Sequence, residues 1–335
     1  MRLLLLICLG FMTACSSTRV PLDKQALYEK MEKASLVLLV NNRESGSAAF
    51  ISADGYIVSA AHCIKYRDDI IEVDSPVHGR FKVSLVALDK QHDMMLLKAD
   101  LGDKPITFLP PASEMPQVTE RVYQFGAPVF RHGVVQSGTI ARQNPYFEYY
   151  SDNHHHYIEV IHVATSIQRG TSGGPWVNKY GEYIGVQSGT LLVGNSPSGL
   201  AFMAPVSAFR EVIETRRSAV SRNLDFQLDA LSSQGVDIIK RYNRQKEGLI
   251  ALHLKIGGFA DKAGLKEWDL IVAVNGEIVK TRKQVMDIVR SSGEKSVKLT
   301  VLPIDKNESK IIEVPVDIVE DRIIFRHSPK KVARM

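Results

Sequence analysis

Apolar residues recur along this chain in short runs separated by polar turns, a pattern of strands rather than of long helices. Residues 36–40 are apolar and β-branched, fit for a first strand. Residues 56–61 follow a turn at Gly55, residues 83–88 form another run, and residues 94–97 form a fourth. Residues 118–125, 182–188 and 199–205 continue the series. Pro105, Pro110, Pro111 and Pro116 punctuate a polar stretch that divides these runs into two groups. Only residues 26–33 have helical composition in this part. The last third reads differently. Residues 223–228 alternate polar and apolar, residues 232–242 fit a short helix, and residues 246–254 give a turn and a strand. A turn at residues 260–264, a helix at 284–291 and closing strands at 295–302 and 309–316 complete it. The pattern predicts a mainly β chain, with a strand-rich unit over residues 26–218 and a smaller α+β unit over residues 222–318.

Three segments carry chemistry. Gly170-Thr171-Ser172-Gly173-Gly174-Pro175 presents a serine among glycines. Ser59-Ala60-Ala61-His62-Cys63 places a histidine after an apolar strand, and Asp93 precedes the run Met94-Met95-Leu96-Leu97. A serine hydroxyl is a poor nucleophile until a neighbouring base takes its proton. Imidazole suits that task near neutral pH, and a buried carboxylate fixes its tautomer. The order His62, Asp93, Ser172 is that of chymotrypsin-like proteases, not of subtilisins or α/β-hydrolases. Gly170 can adopt backbone angles closed to other residues, so the Gly170 and Ser172 N–H groups are the natural oxyanion donors. Asp89 and Asp100 flank the Asp93 segment but precede no such run, and read as solvated turn residues.

These motifs resemble those of the HtrA/Deg family of trypsin-like serine proteases with a C-terminal PDZ domain, over residues 36–316. The resemblance implies a chymotrypsin-like double β-barrel, with the proline-rich stretch connecting the barrels. It implies a catalytic triad of His62, Asp93 and Ser172 and an oxyanion hole of Gly170 and Ser172. It also implies a homotrimer that cleaves unfolded or regulatory proteins. Family members often have Pro-Gly-Asn before the serine, where this chain reads Gln168-Arg169-Gly170-Thr171. A primary pocket would lie between residues 166–168 and 186–188, which hold no acidic residue and so favour a small or apolar side chain.

Residues 260–276 resemble the PDZ signature Ala-Gly-Leu-x-x-Gly-Asp-x-Ile, with Trp268 in place of the glycine before Asp269. PDZ domains bind extended C-terminal peptides by strand addition. By resemblance Gly248, Leu249 and Ile250 form the carboxylate loop and groove strand, with Val285, Ile288 and Val289 on the opposite wall. The alternative is that these apolar residues are only core.

Composition adds a location. The chain has 335 residues, room for two cores, and a mild net charge of +5 that gives no footprint for nucleic acid. Residues 1–14 have the charged start, apolar middle and small-residue exit of a secretory signal. Cys15 after Thr13-Ala14 resembles a lipoprotein cleavage site, which makes Cys15 the lipidation site and residues 16–25 a tether. A lipid anchor to a bacterial envelope membrane follows, on the periplasmic face of the outer membrane in a Gram-negative host. Of three cysteines, Cys63 is then left without a partner and reads as a small buried residue. His154, His155 and His156, with His162 nearby, read as an exposed loop rather than a metal site, because consecutive strand residues face opposite ways. No metal or other cofactor is expected, and the role of the basic tail, residues 319–335, is not legible. The resulting reading is an extracytoplasmic serine endopeptidase. Its rival is a non-catalytic, chaperone-like binding module.

Overall fold

The structure, a computed structural model, describes residues 19–319 apart from 67, 143, 151–155, 195, 243, 244 and 246. The expected leader, Cys15, His154, His155 and the tail beyond Val319 lie outside the described residues. The first helix, α1 (Lys24–Ala34), starts two residues earlier than its composition implied, because the Asp23 carboxylate accepts from the Gln25 and Ala26 amides. Its Leu27 and Met31 are buried in the first core.

Six strands follow: β1 (Ser35–Val40), β2 (Arg43–Phe50), β3 (Tyr56–Ala60), β4 (Ile71–Ser75), β5 (Gly79–Asp89) and β6 (Met94–Ala99). They close into a barrel in the order β1-β2-β3-β6-β5-β4. Phe50, Ile57, Leu88, Leu96 and Leu97 fill it. The second group is β7 (Arg121–Gly126), β8 (Val134–Ile140), β9 (Tyr146–Tyr150), β10 (His156–Ala164), β11 (Pro175–Val177), β12 (Tyr183–Val193) and β13 (Ser196–Pro205). Its order is β13-β12-β11-β7-β8-β10-β9, and β13 pairs back onto β10. Trp176, Val122, Ile140 and Met203 form its core. Helix α2 (Val206–Thr215) then packs Phe209 and Val212 onto the first core.

β10 does two jobs. Its second half, Ile161 to Ala164, is in the barrel against β13. Its first half, His156 to Val160, pairs only with β9, so the two strands form a hairpin that extends the sheet. This corrects the loop expected around His156 and His162. Both side chains are buried in β10, and His162 Nε2 lies 2.9 Å from Glu148 Oε1. No group of metal-binding side chains occurs among the described residues.

The last unit contains β14 (Ser221–Asn223), β15 (Gln227–Ala230), α3 (Val236–Lys240), β16 (Leu249–Leu252), α4 (Phe259–Lys262), β17 (Leu270–Val274), β18 (Glu277–Ile278), α5 (Arg282–Ser291), β19 (Ser296–Leu302), β20 (Lys310–Pro315) and β21 (Asp317–Val319). Its main sheet runs β15-β16-β17-β19-β20, and β14 pairs with β21. The strand expected over 223–228 is thus split by a loop at residues 224–226, where Asp225 accepts from the Phe259 and Ala260 amides that open α4. A capping box between Thr281 and Gln284 starts α5. Trp268 adopts φ +70°, the left-handed conformation that explains why glycine suits this position.

The core of this unit includes Phe147 and Tyr157 from the β9–β10 hairpin, packed with Leu224, Phe226, Leu228, Val285 and Val289. Removing a fully buried Phe side chain costs about 3–5 kcal/mol. Phe147→Ala should therefore lower hydrogen-exchange protection in β15 and α5, far along the chain from the substitution. Protection lost only within residues 146–164 would contradict this shared core.

Candidate active site

Asp93 ends the tight turn between β5 and β6. The turn is held by Asp89, whose carboxylate accepts from the Gln91 amide (3.0 Å) and the His92 amide (3.2 Å). Asp89 is 2% exposed, so the solvated turn residue expected there is a buried structural one. Asp100 is exposed, as expected. Asp93 itself has φ +50°, a backbone region that costs a non-glycine residue energy and needs surrounding contacts to hold it.

Those contacts converge on its carboxylate. Oδ1 accepts from the His62 amide at 2.9 Å, and Oδ2 lies 2.6 Å from His62 Nδ1. The Ser188 hydroxyl, at the centre of β12, donates to the same Oδ2 at 2.5 Å. Burial works to raise the Asp93 pKa, but the His62 charge and the hydrogen bonds from His62 and Ser188 overcome it and hold the carboxyl low. For His62 the signs reverse. Burial disfavours its charge, yet the Asp93 carboxylate, with Cys63 beside the ring, keeps its pKa well above the usual value. Cys63 is a free, buried thiol, as expected.

The second barrel packs the Ser172 loop against the first. The Ser47 amide donates to the Ser172 carbonyl at 2.7 Å, and the Ser47 hydroxyl donates to the Gly170 carbonyl at 3.1 Å. Gly173 has φ +83°, and a Cβ there would lie 2.2 Å from both the Ser47 carbonyl and Ser59 Oγ. A Cβ on Gly46 would lie 2.5 Å from the Ser172 carbonyl and 2.8 Å from Cys63 Sγ. The serine loop is thus pressed against the strands that carry His62. Among the described residues Ser172 Oγ donates to no acceptor, His62 included. Such contacts are often looser before substrate binds.

Gly170 has φ +96°, in line with the need for glycine, and a Cβ there would lie 2.3 Å from the Ala127 carbonyl. The Arg169 carbonyl accepts from the Val129 amide at 2.6 Å, which fixes the peptide before Gly170. Val129 and Phe130, at φ +49° and +58°, wrap this loop in strained conformations. Neither the Gly170 nor the Ser172 N–H donates to a protein acceptor among the described residues, so both are free for an oxyanion.

Among the residues expected to flank a primary pocket, Ile167 belongs to the second core, and Gln187 accepts from Trp176 Nε1 at 2.9 Å while donating to the Gly189 carbonyl at 2.7 Å. Ser188 turns to Asp93, a role the sequence reading missed. Gly248, Leu249 and Ile250 do not border an open sheet edge. Leu249 pairs with Ala230 on one side and Ile271 on the other, and Ile250 pairs with Asp229 and Leu270. A peptide cannot add a strand beside residues already bonded on both sides. The edge strand is β15, one step outward, and Val285 and Val289 lie in the core beside it.

Residues 46–186 match the family model of a trypsin-like peptidase domain, and residues 254–303 match that of a PDZ domain. The chain therefore carries a trypsin-like peptidase domain and a PDZ domain. A relative described as a probable periplasmic serine endoprotease, DegP-like, from Hahella chejuensis is 24% identical over 288 residues, covering 82% of this chain and 60% of the relative. The protein of the same description from Halomonas elongata is 30% identical over 265 residues, covering 78% of this chain and 54% of the relative. The chain therefore spans less than two thirds of the length of these relatives. Among solved structures, the HtrA-type protease AlgW with tripeptide superposes with a TM-score of 0.58 at 20% identity, over 88% of this chain and 97% of that one. The serine endoprotease from Yersinia pestis gives 0.56 at 20% identity, over 90% of this chain and 100% of that one. The fold is that of the HtrA-type proteases, as the motifs implied.

Proposed function

We propose that the chain is a serine endopeptidase of the bacterial envelope, acting on unfolded or regulatory proteins. The observation that carries this reading is the 2.6 Å contact between His62 Nδ1 and Asp93 Oδ2, beside a serine loop with two unused amides. In the proposed mechanism Asp93 holds the tautomer with its proton on Nδ1, which leaves Nε2 free to act as base. Ser172 Oγ attacks the peptide carbonyl as His62 takes its proton. The Gly170 and Ser172 amides stabilise the oxyanion, and His62 then protonates the leaving amine. The description of the relatives as serine endoproteases supports the same chemistry, and their description as periplasmic supports an envelope location.

For the PDZ domain, the proposed partner is a C-terminal peptide added to the β15 edge. The outward groups of Leu228 on that strand are already engaged. The Leu228 amide donates to Tyr157 Oη, and Arg282 Nε donates to the Leu228 carbonyl at 3.1 Å. A peptide must displace the hairpin's Tyr157 to pair there. Binding of an apolar C-terminal peptide, read by fluorescence anisotropy, should be tighter in Tyr157→Phe than in wild type. Equal affinities would place the peptide elsewhere.

Membrane attachment through Cys15 is part of the proposal, supported by the leader pattern of residues 1–15. Multiple acyl chains anchor stably where one does so only marginally. Cys15→Ala should release the protein from membranes or block its processing. A soluble wild-type protein without lipid mass on its N-terminal peptide would overturn the anchor.

The catalytic reading is tested with casein. Ser172→Ala should abolish cleavage with the fold intact, since loss of a triad member costs several powers of ten in rate. Unchanged cleavage by the purified variant would refute the assignment and leave the rival reading, a non-catalytic binding module.

A further inference from the structure

His92, the residue before Asp93, is 8% exposed and bonded on both ring nitrogens. Its Nδ1 lies 2.7 Å from Asp89 Oδ2, and its Nε2 lies 3.3 Å from Glu159 Oε2 on β10. The Glu159 amide also donates to the Gln91 carbonyl at 2.9 Å, so the Asp93 turn is pinned to the hairpin twice. From the other side Arg290 Nη1, on the PDZ helix α5, donates to the same Glu159 Oε2 at 2.8 Å. The Arg290 guanidinium lies 4.5 Å over the Phe147 ring, which fixes it against the hairpin. A continuous chain of charged contacts therefore runs from the PDZ helix to the residue adjoining Asp93.

We propose that His92 is a positioning residue for Asp93, held in place from the PDZ helix through Glu159 and Arg290. This rests on the catalytic reading given above. The physical reason is the cost of the Asp93 conformation. A turn with φ +50° at Asp93 persists only if its flanks are fixed. A protonated His92 donates to two carboxylates at once, Asp89 on the turn and Glu159 on the hairpin. It thus welds the turn to an element that the PDZ core also grips. The groups facing His92 are Asp89 from β5, Glu159 from β10 and Arg290 from α5, with Lys283 and Asp287 of α5 acting on Glu159 and Arg290. Burial works against the His92 charge, but Asp89 and Glu159 outweigh it and raise the pKa to about 9. The weld is therefore present at neutral pH and is lost as pH rises through that value.

The test compares full-length wild type, His92→Gln, Arg290→Met and Arg290→Lys. On a short chromogenic peptide, His92→Gln should lower kcat by about 10- to 100-fold, the scale of a small misplacement of a catalytic group. KM should stay within about twofold, because ground-state binding is untouched. Wild-type kcat should fall as pH rises through about 9, and that limb should be absent from His92→Gln. Arg290→Met should lower kcat in the same sense and Arg290→Lys should restore part of it. The placement of Asp93 is read without turnover from the NMR titration of His62 in a Ser172→Ala background. There, adding His92→Gln or Arg290→Met should lower the His62 pKa. Should His92→Gln not fold, the Arg290 pair carries the test alone. A His62 titration and kcat unchanged in the folded variants would overturn the proposal. Casein cleavage that survives Ser172→Ala would instead refute the catalytic reading, with the His62 titration still deciding the role of His92.

Discussion

The arrangement depends on one buried carboxylate. Taking the Asp93 charge out of water carries a penalty of several kcal/mol after relaxation, which only close partners offset. The structure supplies three hydrogen bonds, from the His62 amide, the His62 ring and the Ser188 hydroxyl. Those donors come from different barrels. His62 follows β3 of the first, and Ser188 sits in β12 of the second. The carboxylate is thus a joint between two cores that the chain builds separately. The same joint brings the Ser172 loop against Ser47 and Ser59, where small side chains and bare glycines allow backbone contact.

The β9–β10 hairpin extends this logic to the third unit. A two-stranded ribbon alone is marginally stable in water. Here Phe147 and Tyr157 are completed by PDZ residues, and Asn223 binds the Tyr157 backbone through both its side-chain amide (3.1 Å) and carbonyl (2.8 Å). Arg282 adds a bond of 2.8 Å to the Phe147 carbonyl. The PDZ unit therefore does not hang from the peptidase by a linker. It shares a core with it, and the strand edge where a peptide would add is the surface that meets the hairpin.

The candidate site was legible in the sequence because its three motifs are local. A glycine beside Ser172, small residues before His62 and an apolar run after Asp93 each describe their own surroundings. Positive φ at Gly170 and the strain of Trp268 follow from the same local rules. What escaped was pairing between distant residues. Alternation located β16 but did not show that β15 would cover its outer edge, so the groove was placed one strand too far in. Asp89 read as a solvated turn residue because no apolar run follows it directly, and only the folded turn sets His92 against its carboxylate. Ser188 read as a pocket wall, since only the closed second barrel turns its hydroxyl to the carboxylate. His156 read as part of an exposed loop because its pairing with β9 is not visible in the local pattern.

The central claim is that Asp93 and His62 activate Ser172 and no other hydroxyl. The most direct measurement is the mass of tryptic peptides after reaction with a fluorophosphonate. The account predicts a single phosphonyl adduct on Ser172, with the rate of labelling rising as His62 loses its proton and collapsing in Asp93→Asn. An unlabelled Ser172 in folded protein, or labelling indifferent to Asp93, would contradict it.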